Sequence, residues 1–167
     1  MYEEYKQFIA KELFFRPFGD HGVDHTRRVL YLAMNIANKC GINDEDKKVL
    51  AFACCYHDIG REHDWTDDDH GAESAKKALR LNLNEKYGLN AKNLQRALDL
   101  IIFHSLDDEM WGKTGSDLLI YQIIKDADAL DRLRFNDLDT KYLRLPESKE
   151  MIELEFSLLR ADGVIKN

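Results

Sequence analysis

Residues 43–60 read NDEDKKVLAFACCYHDIG, and this stretch decides the fold. Asn43 can cap a helix start, with Asp44, Glu45 and Asp46 in the first turn, where the helix dipole favours negative charge. From Val49 to Tyr56 the chain is apolar on nearly every face, which predicts a central, buried helix. Ile59-Gly60 ends it. A buried helix needs others around it, and the flanks supply them. Upstream, Asp24 is the expected N-cap of a helix reaching about Cys40, with Val29, Leu32, Ala33, Ile36 and Ala37 at helical spacing and Gly41 as its stop. Residues 2–15 place Tyr5, Phe8, Ile9 and Leu13 on one side of a further amphipathic helix. Downstream, helices are predicted at 70–86, from Asn90 to His104, at 117–134 and at 147–160. The polar stretch SLDDEMWGKTGSD, residues 105–117, reads as a long surface loop or lid. Without a convincing alternating strand pattern, an internal repeat or a linker, the expectation is all-α: one domain over residues 1–167, a compact bundle of six to seven helices.

Composition agrees and narrows the classes of function. Apolar residues make up 44% of the chain and charged residues 33%, which argues for a packed core over disorder. The formal charge of −7 makes long nucleic acid a poor partner, although a local basic pocket can still hold a small phosphate ester. Cys40, Cys54 and Cys55 form no zinc-type CxxC pair and read as buried thiols of a reducing, cytoplasmic environment. MYEEYKQFIAKELFF lacks the apolar core of a signal peptide, and no run approaches the length of a membrane span.

Chemistry concentrates where His and Asp meet helix ends. His25 falls in the first turn of the second predicted helix, His57 and Asp58 close the buried third, and Asp128 lies inside the sixth, within IIKDADALDRL. Adjacent His and Asp at the end of an apolar helix are costly to bury unless something satisfies them, and a divalent cation does so with imidazole nitrogen and carboxylate oxygen. Around these four, Arg61 follows the HDIG turn, Arg28 sits one turn beyond His25, and Lys125 precedes Asp128 by three residues. Each has a plainer reading: a core ion pair for Arg28, a solvated loop for Arg61, ordinary helix surface for Lys125. Asp131 and Arg132 can orient a ligand from behind, or simply pair or cap.

The series His25, His57-Asp58, Asp128 resembles the H…HD…D signature of HD-domain metal phosphohydrolases. DHTRRVLYLA, ACCYHDIG, KDADALDRL, HGAESA (70–75) and IIFHS (101–105) resemble that family as well, so the likeness covers about residues 20–135. It implies an HD helical bundle holding a divalent ion (Mn, Mg, Fe, Co or Ni; one, with two conceivable) on His25, His57, Asp58 and Asp128. It implies hydrolysis of a small phosphate ester or anhydride, a nucleotide by best guess, through attack of metal-activated water on phosphorus. Asp58, His70, His104 and Arg61 are then the expected catalytic groups. Arg28, Arg61, His21, His70 and Lys125 are the expected substrate contacts, and Trp65 or Trp111 can stack on a base or merely cover the core. His63 reads as solvated surface. Two other readings stand beside this one: a metal- and nucleotide-binding regulatory module with little turnover, and a di-iron oxygenase that would recruit His70 and His104. The sequence lacks the GYP motif of the cyclic-dinucleotide branch. Arg61 stands where some branches carry Lys, and the chain continues only briefly past the last helix, which would leave the cleft more open.

Overall fold

A computed structural model describes residues 2–65 and 67–165. Among them the elements are all helical, in the order α1 (Tyr2–Tyr5), α2 (Val23–Lys39), α3 (Asp44–Tyr56), α4 (His70–Arg80), α5 (Asn84–Tyr87), α6 (Ala91–Phe103), α7 (Gly115–Leu130), α8 (Pro146–Lys149) and α9 (Ile152–Ala161), with 3-10 turns between several of them. None is long and apolar enough to cross a membrane.

The buried α3 is the hub. Its residues Val49 to Tyr56 are all buried, and it packs against α2, α6 and α7. Asn43 caps it as expected, accepting a 2.9 Å hydrogen bond from the Asp46 amide. Asn90 does the same for α6, whose Asn93 amide lies 2.9 Å from its side-chain oxygen. The end of α2 also matches its reading, with the Gly41 amide donating to Asn38 and the Ile42 amide to Ala37 across the final turn.

Four expected boundaries differ. Gly22, not Asp24, is the N-cap of α2, and Asp24 lies inside the first turn without a cap hydrogen bond. The predicted helix over 2–15 breaks into α1 and two 3-10 turns, Lys6–Phe8 and Lys11–Leu13, because Ile9 and Phe14 turn inward to reach the core. The helix expected over 70–86 stops at Arg80, where Asn82 takes a left-handed turn (φ 50°) before α5. The last helix is likewise divided, into α8 and α9. At the other end of the bundle α7 tightens into a 3-10 turn over Asp131–Phe135, within the predicted span of 117–134 and one residue beyond it.

Two glycines set how closely the layers meet. A β-carbon on Gly60 would lie 2.2 Å from the Ser74 amide nitrogen, so the turn after α3 is pressed against the α4 backbone. The Gly60 amide donates to Ser74 Oγ at 2.8 Å across this contact. A β-carbon on Gly71 would lie 2.5 Å from the Ile101 carbonyl oxygen, which brings the start of α4 against the end of α6. Both contacts lie beside side chains of the site.

Candidate metal centre

The structure brings His25, His57, Asp58 and Asp128 to one point. His25 Nε2 lies 3.2 Å from His57 Nε2, 3.4 Å from Asp58 Oδ2 and 3.3 Å from Asp128 Oδ1. His57 Nε2 lies 3.5 Å from Asp58 Oδ2 and 3.8 Å from Asp128 Oδ1. His25, His57 and Asp58 are buried, whereas the Asp128 side chain is 34% exposed and faces a cleft.

Hydrogen bonds at the rear of each ring decide which nitrogen carries the proton. His57 sits at the C-cap of α3, and its Nδ1–H donates to the Cys54 carbonyl at 2.8 Å, one of the carbonyls a helix end leaves unpaired. His104 repeats the arrangement at the end of α6, donating to Ile101 at 2.7 Å. His70 Nδ1 donates to the Asp67 carbonyl. His25 Nδ1 faces Asp131 Oδ2 at 2.6 Å. In the neutral rings all four Nε2 atoms are therefore lone pairs, and they face one another: His25 against His57, and His70 against His104 at 2.9 Å. Opposed lone pairs at these distances repel unless a cation or a proton lies between them. Two imidazoles and two carboxylates form a mixed nitrogen–oxygen donor set that fits a divalent transition ion or magnesium and requires no thiolate.

The proton affinities follow the same field. Burial disfavours charge on His25, but the hydrogen bonds its ring donates to Asp128, Asp131 and Asp58 outweigh it and raise its pKa well above the usual histidine value. Burial dominates at His57 and lowers its pKa to about 4, which leaves a neutral ring with a free lone pair. Burial also opposes ionisation of Asp58 and Asp128, yet the surrounding imidazoles hold both well below the ordinary carboxylate range.

A second group adjoins the first. Asp58 Oδ1, the oxygen turned away from His25, lies 3.2 Å from His70 Nε2 and 3.8 Å from His104 Nε2, and His57, Asp58 and His104 together could hold an ion. Arg61 closes this side, with Nε donating to Asp58 Oδ1 at 2.8 Å and Nη1 to the Trp65 carbonyl at 3.3 Å. The cleft outside both groups has a volume of about 430 Å³, and Arg61, His21, His70, His104, Lys125 and Asp128 are in its wall. His21 stands edge-on to His25 at 5.6 Å, 3.5 Å from Asp64, and burial lowers its pKa.

Arg28 is not in that cleft. It lies behind His25, with Nε on Asp131 Oδ1 at 2.5 Å and Nη1 on Asp162 at 2.7 Å, so the core ion pair is the reading that applies. Of Asp131 and Arg132, only Asp131 backs one of the four candidate donors, His25; Arg132 is exposed at the outer cleft and pairs with Asp137. Trp111 is buried and stacked on Tyr121 at 4.3 Å, while Trp65 is 70% exposed at the cleft mouth, stacked on a half-buried His63 at 4.6 Å. The stretch expected as a lid is pinned: Asp108 accepts two bonds of 2.7 Å from Arg144 and pairs with Lys125 at 2.8 Å.

Two supporting residues escaped the sequence reading. Arg134 donates to both the carboxylate and the carbonyl of Asp131 and ties them to the Asp20 carbonyl; its i,i+3 spacing from Asp131 was a usable signal. Glu155, fully buried on α9, lies 3.8 Å from Arg28 Nε, and no local pattern marks it.

The HD domain family model matches residues 22–133 of the chain. No curated protein and no solved structure matches it.

Proposed function

From the premise that the chain belongs to the HD-domain family, we propose that it is a metal-dependent phosphohydrolase acting on a small phosphorylated metabolite, with a nucleotide as the best candidate. The observation that carries this reading is the meeting of four opposed donors, His25, His57, Asp58 and Asp128, at the floor of an open cleft. A divalent cation held there would supply Lewis acidity, lowering the pKa of water and offsetting phosphate charge. The other roles belong to the chain itself. Asp131, Arg28 and Arg134 fix the ring of His25. Arg61 orients Asp58, reaches His70 Nε2 with Nη2 at 3.2 Å, and lines the cleft, where its guanidinium can meet a phosphoryl oxygen. His70 and His104 present Nε2 toward Asp58 and can hold or move a proton at the substrate or, with Asp58, accept a second ion. Lys125 and His21 shape the wall.

The test is release of inorganic phosphate from a nucleotide panel with Mn, Mg, Co and Ni. Activity is expected in the wild type and absent after chelation and in Asp58→Ala. A protein that binds no metal and cleaves no phosphoester would overturn the proposal. Arg61→Ala should impair substrate use far more than metal binding. The second donor group favours one competing reading, an oxygenase with two irons; two irons per chain with substrate-dependent oxygen uptake would support it instead.

A further inference from the structure

We propose that the cleft is built for a single phosphoryl group, a phosphomonoester, and discriminates against nucleoside di- and triphosphates. This rests on the hydrolase reading above and concerns how charge is distributed along the cleft. A phosphomonoester brings about two negative charges, and a polyphosphate chain brings more. Sites that hold such chains supply free cations along them, from lysine, arginine and backbone amides.

Among the described residues of this cleft, each lysine and arginine already shares its charge with a carboxylate. Lys125 directs its ammonium at the Leu106 carbonyl, at Tyr121 Oη (3.2 Å) and at Asp108 Oδ1 (2.8 Å), which engages all three of its donors. Arg132 pairs with Asp137. Arg61 pairs with Asp58, and it alone lies beside the donor cluster, where one phosphate would sit.

Outward from that point the wall is negative. Asp68 and Asp107 both line the cleft and are exposed, and neither has a cationic partner among the described residues. Asp64 is paired with Arg16, and Asp67, which accepts a backbone bond from Asp69 and lies 3.9 Å from His63, is a further carboxylate in the wall. A β- or γ-phosphate leaving the floor of the cleft would meet carboxylates, with no free cation among the described residues. Clefts focus electrostatic fields, and because Asp68 and Asp107 are exposed this repulsion is strongest at low ionic strength.

The experiment compares a nucleoside monophosphate with its own triphosphate on the manganese-loaded protein. Both kcat/KM and equilibrium affinity are measured, with p-nitrophenyl phosphate as a generic monoester. The monophosphate is expected to be preferred by a hundredfold or more. Asp68→Lys/Asp107→Lys should narrow the triphosphate-to-monophosphate ratio at least tenfold, chiefly through KM. Equal use of the two nucleotides, or an unchanged ratio in the variant, overturns the inference. If no phosphate ester is cleaved at all, the hydrolase reading fails, and the two affinities still decide the charge argument: equal affinity refutes it, and monophosphate preference lost in the variant supports it.

Discussion

His25 is held at both ends of its ring, and the rear contact is the more instructive. Asp131 Oδ2 meets Nδ1 at 2.6 Å, while the same carboxylate receives Arg28 and Arg134. Two guanidinium groups and one imidazole on one buried carboxylate are more cation than neutrality requires, so Asp131 stays ionised and keeps the front nitrogen of His25 a donor. Asp131→Asn is therefore expected to weaken metal affinity by about 10- to 100-fold while the fold persists, as read by calorimetric titration with manganese and by circular dichroism. Unchanged affinity would mean that Asp131 serves packing alone. At this scale the sequence was partly legible. His57 and Asp58 stand out because they end an apolar helix, whereas His25 and Asp128 are picked out by the family-like sequence around them. Arg28 was ambiguous because i,i+3 spacing from His25 does not say on which side of the ring a long side chain will lie. The three aspartates of KDADALDRL show the limit of pattern reading: Asp128 faces the cleft, Asp131 backs His25, and Asp126 accepts the amides of Arg144 (2.9 Å) and Leu145 (2.9 Å) on another face.

Among the elements, the ends of α3 and α6 are built alike, each closing on a histidine that returns a proton to its own last turn. What brings the two ends and the start of α4 together is the near-contact of backbone at Gly60 and Gly71. Gly71→Ala would force a methyl group to within 2.5 Å of the Ile101 carbonyl oxygen, so α4 must shift. The expected cost is about 1–3 kcal/mol, seen as a lower midpoint in urea, and a larger loss of activity than of metal because His70 moves with the helix. Activity equal to wild type would show that the position of α4 does not matter. The buried helix and its Asn43 cap were readable, as was Asn90, since caps and apolar runs are local signals. The breaks at Ile9, at Asn82 and between α8 and α9 were not. They follow from which side chain reaches the core, and that depends on partners distant in the chain.

At the scale of the whole molecule, Glu155 joins the last helix to the centre. Burial, reinforced by neighbouring Asp131, pushes its pKa up to about 9, whereas an unfolded glutamate titrates near about 4.3. Between those values the folded chain keeps a proton that the unfolded chain releases, so this residue makes folding progressively less favourable as pH rises from 4.3 toward 9. Glu155→Gln should flatten that dependence, leaving stability near wild type at pH 5 and raising it by about 1–3 kcal/mol at pH 8; parallel pH profiles of thermal unfolding for the two proteins would refute the assignment.

The placement of Glu155 has a practical corollary. Arg28, which backs His25 through Asp131, is flanked on its other side by Glu155 and Asp162, both beyond residue 133. A minimal module trimmed to the matched span would retain all four donor side chains but leave Arg28 without Asp162, its outer counter-charge, and without the buried Glu155 carboxyl beside it, so the shortest fragment carrying the signature should be a poorer metal trap than the longer chain.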